Sequence, residues 1–171
     1  NFAPAYNNLG MSYRSVGMDL EEVAWYFKAA IDIDPEYAEA YENLGKAYYG
    51  ARNYELAEEY SLKALKLQPN SLTTKLSLAW LYLAGKEEPV KAIHYFKQVL
   101  DKVDIAQAHY GLGLAYFLNG EGGMVLESIT NLRLNGHEEL ASRLENTIRT
   151  TYVIPNQPVG VPPPTHPEGG T

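Results

Sequence analysis

Apolar residues recur along the chain with two periods, a helical one and a longer one of about 34 residues. The pattern Leu-Gly-x-x-Tyr at residues 44–48 returns around Leu9, Leu78 and Leu112, with Ala79 in place of glycine in the third copy. Successive leucines are 35, 34 and 34 residues apart. Because one helix pair cannot bury its own apolar face, this spacing predicts helical repeats that stack and share one continuous core.

Each repeat divides into two amphipathic helices, which we call its A and B helices. Asp19 and Asn53 stand where helix N-caps are expected. Pro35 and Pro69 mark the ends of the first two B helices, because proline disfavours the α conformation in the residue before it. The predicted helices are residues 2–14, 20–33, 37–49, 54–67, 72–83, 89 onwards, 105–118 and 122–134.

A final amphipathic helix is predicted at residues 137–150, where Leu140, Leu144 and Ile148 are spaced four apart. Its other face is polar and carries charged residues such as Arg143. The last element of a repeat stack needs such a polar outer face. We therefore interpret this segment as a capping helix.

The second repeat carries the fullest set of repeated positions. They are Tyr41, Leu44, Gly45, Tyr48, Ala57, Ala64 and Pro69. With four such copies in phase, the chain resembles the tetratricopeptide repeat (TPR) family, over roughly residues 1–136. The resemblance implies an all-α fold, an α-solenoid of about four helix–turn–helix repeats with a capping helix and an extended proline-rich tail. The expected units are residues 3–37, 38–71, 72–105 and 106–136 for the repeats, 137–151 for the cap and 152–171 for the tail.

The tail differs sharply in composition from the repeats. Residues 152–171 contain six prolines and three glycines, and Glu168 is their only charged residue. This composition favours polyproline II over helix, and it is also typical of a disordered terminus. An extended tail could contact the solenoid in cis or a neighbouring molecule in trans. The prolines expected to make that contact are Pro155, Pro158, Pro162, Pro163 and Pro164.

Composition and charge narrow the classes of function. The 171 residues fit one elongated domain, and the formal net charge of −7 without a Lys/Arg cluster argues against nucleic-acid binding. No apolar run approaches the length of a membrane span, and the absence of cysteine excludes disulfides and thiol chemistry. The start at Asn1 rather than Met favours a fragment or a processed chain. A removed export signal, and hence a location outside the cytoplasm, is compatible with that start.

Catalytic and metal-binding patterns are not evident in the sequence. The four histidines, His94, His109, His137 and His166, have neither i,i+4 spacing nor nearby carboxylates at metal-ligand spacing. Carboxylate pairs such as Glu21-Glu22 are adjacent on a helix, so their side chains diverge by about 100° and cannot act on one bond. We therefore expect no enzyme activity, no metal and no cofactor.

In the TPR family the functional surface is normally the concave side, lined by A-helix residues outside the core. Placing the four A helices in phase predicts a groove that is polar toward its N-terminal end and apolar toward its C-terminal end. The residues expected to bind a partner are Asn8, Asn43, Lys46, Leu76, Trp80, Leu83, Tyr110, Leu114 and Phe117.

Two parts of this groove have alternative interpretations. Asn8 and Asn43 occupy equivalent places, where the family's asparagines either bond the backbone of an extended ligand or are simply common residues. Trp80 and Phe117 either form an aromatic dock for a partner helix or proline-rich strand, or are covered by the curl of the solenoid or by the capping helix.

One specialised role within the family is disfavoured. Chaperone-adaptor members grip a terminal carboxylate with two lysines, two asparagines and an arginine. The equivalent residues are Asn7, Met11, Asn43, Thr73 and Ser77, of which Asn43 alone matches. Two hypotheses follow. The chain is either a non-catalytic scaffold that binds a peptide, helix or proline-rich segment of another protein, or a structural subunit joined into a homo- or hetero-polymer through its tail.

Overall fold

A computed structural model describes residues 2–152 of the chain. Within that range the chain forms helices and no strands. The helices are α1 (Ala3–Ser15), α2 (Leu20–Ile33), α3 (Ala38–Gly50), α4 (Tyr54–Leu67), α5 (Leu72–Trp80), α6 (Pro89–Leu100), α7 (Ala106–Leu118), α8 (Gly122–Leu134) and α9 (Glu138–Tyr152). These bounds lie within one or two residues of those predicted from the sequence, except at the end of α5.

The helices pack as four successive hairpins, α1/α2, α3/α4, α5/α6 and α7/α8, with α9 against α7 and α8. Each B helix also contacts the A helix of the next hairpin, as α2 does with α3 and α6 with α7. The main core therefore runs from Val23 on α2 to Leu144 on α9. A smaller buried cluster, Ala3, Ala30 and Ala40, joins α1, α2 and α3. This nearest-neighbour packing is that of an all-α solenoid.

Side chains cap three of the helices at their N-termini. The Asp19 carboxylate accepts the Glu21 N–H at 3.0 Å, and the Asn53 side-chain oxygen accepts the Leu56 N–H at 3.2 Å. Both caps were predicted from the sequence and are confirmed. Each cap satisfies a backbone N–H that has no partner within the first turn of the helix. The caps therefore fix the residues at which α2 and α4 begin.

Close helix contacts form where a glycine faces an aromatic ring. A Cβ added to Gly10 would lie 2.7 Å from Phe27, and one added to Gly111 would lie 2.3 Å from Phe96. Both rings are fully buried. The missing Cβ atoms let each ring lie directly against the backbone of a neighbouring helix, and the buried ring area offsets the helical cost of glycine, about 1 kcal/mol.

A stacked pair of tyrosines joins the two helices of each of the first three hairpins. One ring comes from the A helix and the other from the B helix. The pairs are Tyr13 with Tyr26, Tyr48 with Tyr60 and Tyr82 with Tyr95, with ring centroids 4.8, 5.5 and 5.7 Å apart. We call these three contacts the tyrosine pairs. Their repetition shows that the hairpins share side-chain geometry as well as helix positions.

The third A helix departs from the sequence prediction. Helix α5 ends at Trp80 and continues as a π-helical segment, Leu81–Gly85. Leu81, Tyr82 and Leu83 are all buried, although three consecutive residues span about 200° of an α-helix. The wider turn directs all three side chains inward. Leu83, predicted to line the groove, is therefore in the core with 5% of its surface exposed, and that prediction is wrong.

Candidate functional site

The groove face, defined by the predicted residues that remain accessible, follows the A helices α1, α3, α5 and α7. Seven of the predicted residues are exposed or half-buried: Asn8, Lys46, Leu76, Trp80, Tyr110, Leu114 and Phe117. The apolar members pack against the core along one edge. The assignment of these residues to a partner-binding groove, polar toward one end and apolar toward the other, stays a prediction.

Asn43 is buried, and its amide has a partner within the chain. The Asn43 Nδ2 atom donates to Asn7 Oδ1 at 2.9 Å, and the Asn7 Nδ2 atom lies 3.5 Å from the Tyr37 hydroxyl. Asn7 and Asn43 are 1% and 8% exposed. The expectation of an open amide at Asn43 is therefore wrong, because this amide joins α1 to α3, whereas Asn8 is exposed.

Asn43→Ala is expected to lower the free energy of unfolding by about 1–3 kcal/mol, because Asn7 Oδ1 would remain buried without its donor. Urea unfolding followed by circular dichroism measures this change. Asn8→Ala is the matched control and is expected to stay within about 0.5 kcal/mol of the parent chain. Equal effects from the two substitutions would contradict a structural role for Asn43.

Glu42 forms a hydrogen-bonded node between α3 and the start of α5. Its carboxylate accepts bonds from Lys46 and Thr74, both at 2.5 Å, and from Thr73 at 3.0 Å. Burial alone would raise the pKa of Glu42, but the bonds from Lys46, Thr74 and Thr73 outweigh it and hold that pKa below its ordinary value. Glu42 is therefore ionised at neutral pH, and it orients Lys46 at the edge of the groove face.

An apolar recess opens on the groove face between α3, α4 and α5. Its volume is about 270 Å³. The lining residues are Gly45, Lys46, Tyr49, Ala57, Ser61, Ser77, Trp80 and Leu81. Two predicted groove residues, Lys46 and Trp80, thus meet at one cavity. We call this cavity the Ser61 recess.

The recess exists because the second hairpin lacks an aromatic ring that the first one has. In the first hairpin the Phe27 ring lies against Gly10, whereas in the second the small Ser61 side chain faces Gly45. A serine cannot fill the volume of a phenyl ring, so space remains between the hairpins. This cavity was not predicted from the sequence, although the change from Phe27 to Ser61 at matching positions indicates it.

Trp80 forms the wall of the recess that faces the third hairpin. Its indole packs edge-on against Phe96, with ring centroids 5.2 Å apart and an interplanar angle of 84°. The indole remains half-buried. The B helix of its own hairpin therefore covers part of Trp80 and leaves part of it facing the recess. The role of Trp80 as part of an aromatic dock stays a prediction.

The C-terminal end of the groove face is bounded by α9. The Arg143 guanidinium lies 5.5 Å from the centre of the Tyr110 ring, and Phe117 lies at a cavity of about 600 Å³ between α7, α8 and α9. Ile148 and Arg149 of α9 also line that cavity. The capping helix thus covers one flank of this end without filling it.

Other predictions concern chemistry and the tail. In residues 2–152, no three histidine or carboxylate side chains come together in a way that could hold a metal ion. In the same range, no helix is both long enough and apolar enough to cross a membrane. The tail prolines Pro155, Pro158 and Pro162–Pro164 lie outside the described residues.

Family models match most of this helical array. A model described as TPR repeat matches residues 24–51, and two described as tetratricopeptide repeat match residues 38–71 and 76–122. The chain belongs to the tetratricopeptide repeat family. A TPR solenoid is a scaffold for contacts with other proteins, and folds of this type generally carry no catalytic activity.

Two curated proteins share sequence with this TPR chain. Superkiller protein 3 of Schizosaccharomyces pombe is 31% identical over 127 residues, which are 70% of this chain and 9% of that protein. The sol locus transcriptional repressor of Clostridium acetobutylicum is 32% identical over 79 residues, 46% of this chain and 24% of that protein. The chain thus spans less than a quarter of the length of either relative.

Solved structures share the TPR fold. PilW, titled a widely conserved type IV pilus biogenesis factor, superposes with a TM-score of 0.75 at 18% identity, covering 87% of this chain and 71% of PilW. A crystal structure of MamA gives a TM-score of 0.70 at 22% identity, covering 89% of this chain and 82% of MamA. These similarities confirm the all-α solenoid predicted from the repeats.

Proposed function

We propose that the groove face binds a segment of another protein and that the Ser61 recess holds one apolar side chain of that segment. The observation that carries the proposal is the recess itself, an apolar cavity beside Trp80 and Lys46 on the accessible edge of the A helices. Its volume of about 270 Å³ is slightly below that of typical small-molecule pockets, roughly 300–1,000 Å³. A single large side chain is therefore the occupant that fits it best.

The rest of the segment would follow the A helices toward α9. Apolar groove residues continue beyond the recess on α5 and α7. They are half-buried, so part of each side chain remains accessible, unlike that of a core residue. They are Leu76, Tyr110, Leu114 and Phe117. Contact with an apolar face of an amphipathic helix, or with a proline-rich strand, would remove this area from water.

Polar groups at the edge of the recess would orient the bound segment. Lys46 and Ser77 line the recess, and Glu42 holds the Lys46 ammonium through a hydrogen bond. A backbone carbonyl of the bound segment could accept a bond from Lys46. A backbone N–H of that segment could donate to the Ser77 hydroxyl, which itself donates to the Thr73 carbonyl at 3.0 Å. A small number of fixed polar groups around an apolar site is the usual source of specificity. The proposed function is binding, without a chemical step.

The chain's own proline-rich segment is a second candidate occupant. Residues 153–171 follow α9 directly in sequence, and Ile148 and Arg149 near the end of α9 line the cavity that also contains Phe117. Binding of Pro155–Pro164 on the groove face in trans would make the protein a structural subunit of an assembly. Binding in cis would make this segment a competitor of the foreign peptide.

Peptides selected from a random library on the full chain test the proposal. We expect the selected peptides to share a large apolar residue and to bind Trp80→Ala at least tenfold more weakly, a loss of about 1.4 kcal/mol. Leu134→Ala, at a residue that is 77% exposed at the end of α8, is the control and should bind normally. Circular dichroism checks that both variants are folded.

Two results separate the alternatives. Selected peptides without a common apolar residue, or with equal affinity for Trp80→Ala and the parent chain, would contradict groove binding through the recess. A chain that ends at Tyr152 and binds the same peptides more tightly than the full chain would support competition by the proline-rich segment in cis.

A further inference from the structure

The outer face of the first hairpin, on α1 and α2, exposes residues that the later hairpins bury. Leu9 is 45% exposed, whereas its equivalents Leu44, Leu78 and Leu112 are 0%, 0% and 8% exposed. On α1, Leu9 lies between Tyr6 and Tyr13 in the i, i+3, i+7 spacing of one helix face. This face thus carries apolar and aromatic residues like those buried between hairpins, although no residue within 2–152 covers it.

Trp25 adds a feature that the stacking of hairpins does not explain. The position directly before the B-helix tyrosine of each tyrosine pair can be compared among the first three hairpins. It is occupied by Trp25 in the first hairpin, and by the exposed polar residues Glu59 and His94 in the second and third. Trp25 is 58% exposed and contacts Tyr6 and Tyr26 edge-on, with centroids 6.0 and 5.0 Å away. An exposed indole of this kind is typical of a contact residue.

A surface cavity of about 450 Å³ lies beside this indole. Its lining residues are Tyr13, Met18, Glu21, Glu22, Trp25 and Tyr26. Three aromatic rings and two carboxylates therefore meet at one site, which we call the aromatic–acidic pocket. Ring faces and carboxylates both attract a positive charge.

The second hairpin shows how such a tyrosine pair is covered. Helix α2 packs on α3, and its Lys28 ammonium lies 6.0 Å from the centre of the Tyr48 ring. The hydrogen bond with Tyr48 raises the pKa of Lys28 and outweighs the effect of burial. In residues 2–152, cations lie over Tyr48, Tyr60, Tyr82 and Tyr110, and none lies over the Tyr13–Tyr26 pair.

We infer that the aromatic–acidic pocket binds a lysine or arginine side chain presented by an amphipathic helix of a partner protein. The apolar stripe of that helix covers Leu9 and Trp25, as α2 covers the next hairpin. Its cation lies over the Tyr13–Tyr26 pair, in a pocket whose rim carries the carboxylates of Glu21 and Glu22. This surface lies on the first hairpin, away from the Ser61 recess, so the inference does not depend on the proposed function.

Charge distinguishes this occupant from a second copy of the chain. The chain carries a formal net charge of −7, and two identical faces would bring the carboxylates of Glu21 and Glu22 toward their own copies. Like charges at a desolvated contact oppose association. A basic helix provides the complementary charge.

Two synthetic helices of about 18 residues, long enough to hold helical structure, test this inference by calorimetric titration. They share one leucine stripe and differ in having lysines or glutamates beside it. We expect the lysine peptide to bind the full chain and the glutamate peptide not to bind. Trp25→Gln, and separately the double change Glu21→Gln with Glu22→Gln, should each weaken binding of the lysine peptide at least tenfold.

Matched variants keep the test specific. Trp25→Gln removes the indole without adding charge, and it places a polar residue where the second and third hairpins have Glu59 and His94. Glu138→Gln with Glu139→Gln makes the same charge change at the start of α9 and should leave the affinity unchanged. Trp80→Ala should also leave it unchanged, which separates this surface from the groove face.

Three results would overturn the inference. Equal binding of the lysine and glutamate peptides would show that apolar contact alone decides binding. An unchanged affinity in both Trp25→Gln and the Glu21/Glu22 double variant would place the peptide elsewhere. Self-association of the parent chain by light scattering, lost in Trp25→Gln, would identify a second copy as the occupant.

Discussion

Phe96→Ala is expected to lower the free energy of unfolding by about 3–5 kcal/mol, the range for removing a buried aromatic ring. Phe96 is fully buried, and its ring lies against the Gly111 backbone and under the Trp80 indole. Gly111 cannot fill the space, since glycine has no side chain that could move into it. The loss is a large part of the 5–15 kcal/mol that stabilises a typical domain.

Urea unfolding monitored by circular dichroism measures this loss. Leu126→Ala is the control, because Leu126 is 66% exposed and its removal should change the unfolding free energy by less than about 0.5 kcal/mol. A Phe96→Ala effect below 1 kcal/mol would contradict the packing of α6 between α5 and α7. In a solenoid the loss at one interface also uncouples its neighbours, so a broader transition is expected.

Ser61→Phe is expected to abolish binding of the selected peptides while leaving the solenoid at least as stable as the parent chain. Gly45 faces Ser61 as Gly10 faces Phe27, and the recess of about 270 Å³ beside Ser61 provides volume for a phenyl ring. The new ring would occupy the Ser61 recess, bury apolar area and exclude the side chain of a bound segment. We expect the affinity to fall by at least a hundredfold, about 2.7 kcal/mol.

The control for this variant is Ser128→Ala, at a buried serine on α8 outside the recess. It should leave peptide affinity unchanged. Normal peptide binding by a folded Ser61→Phe chain would show that the recess is not the anchor site. A Ser61→Phe chain that unfolds more easily than the parent would show instead that the second hairpin cannot accept the packing of the first.

The helices were predictable because their causes are local. Asp19 and Asn53 cap the helices that they precede, and the 34-residue period carries the order of the hairpins. The π-helical segment at Leu81–Gly85 was not predictable in this way. It depends on contacts such as the approach of Gly85 to the Tyr54 ring, where a Cβ would lie 2.8 Å away.

The site was predicted less completely than the fold. Asn43 was predicted on the correct helix. Its burial depends on a hydrogen bond to Asn7, which lies 36 residues earlier, so the sequence around Asn43 does not indicate it. Two other features of the sequence indicate sites that were not predicted. Ser61 in place of an aromatic residue indicates the recess, and Trp25 in place of Glu59 or His94 indicates the aromatic–acidic pocket.

The two tryptophans of the chain provide the most direct test of the proposed function. Trp80 lines the Ser61 recess and Trp25 lies on the first hairpin, so each surface contains one indole N–H that NMR can follow. Trp25→Gln assigns the two signals. During titration with a selected peptide we expect the Trp80 signal to shift and the Trp25 signal to stay in place. A shift of the Trp25 signal alone, or of neither signal, would contradict binding at the groove face.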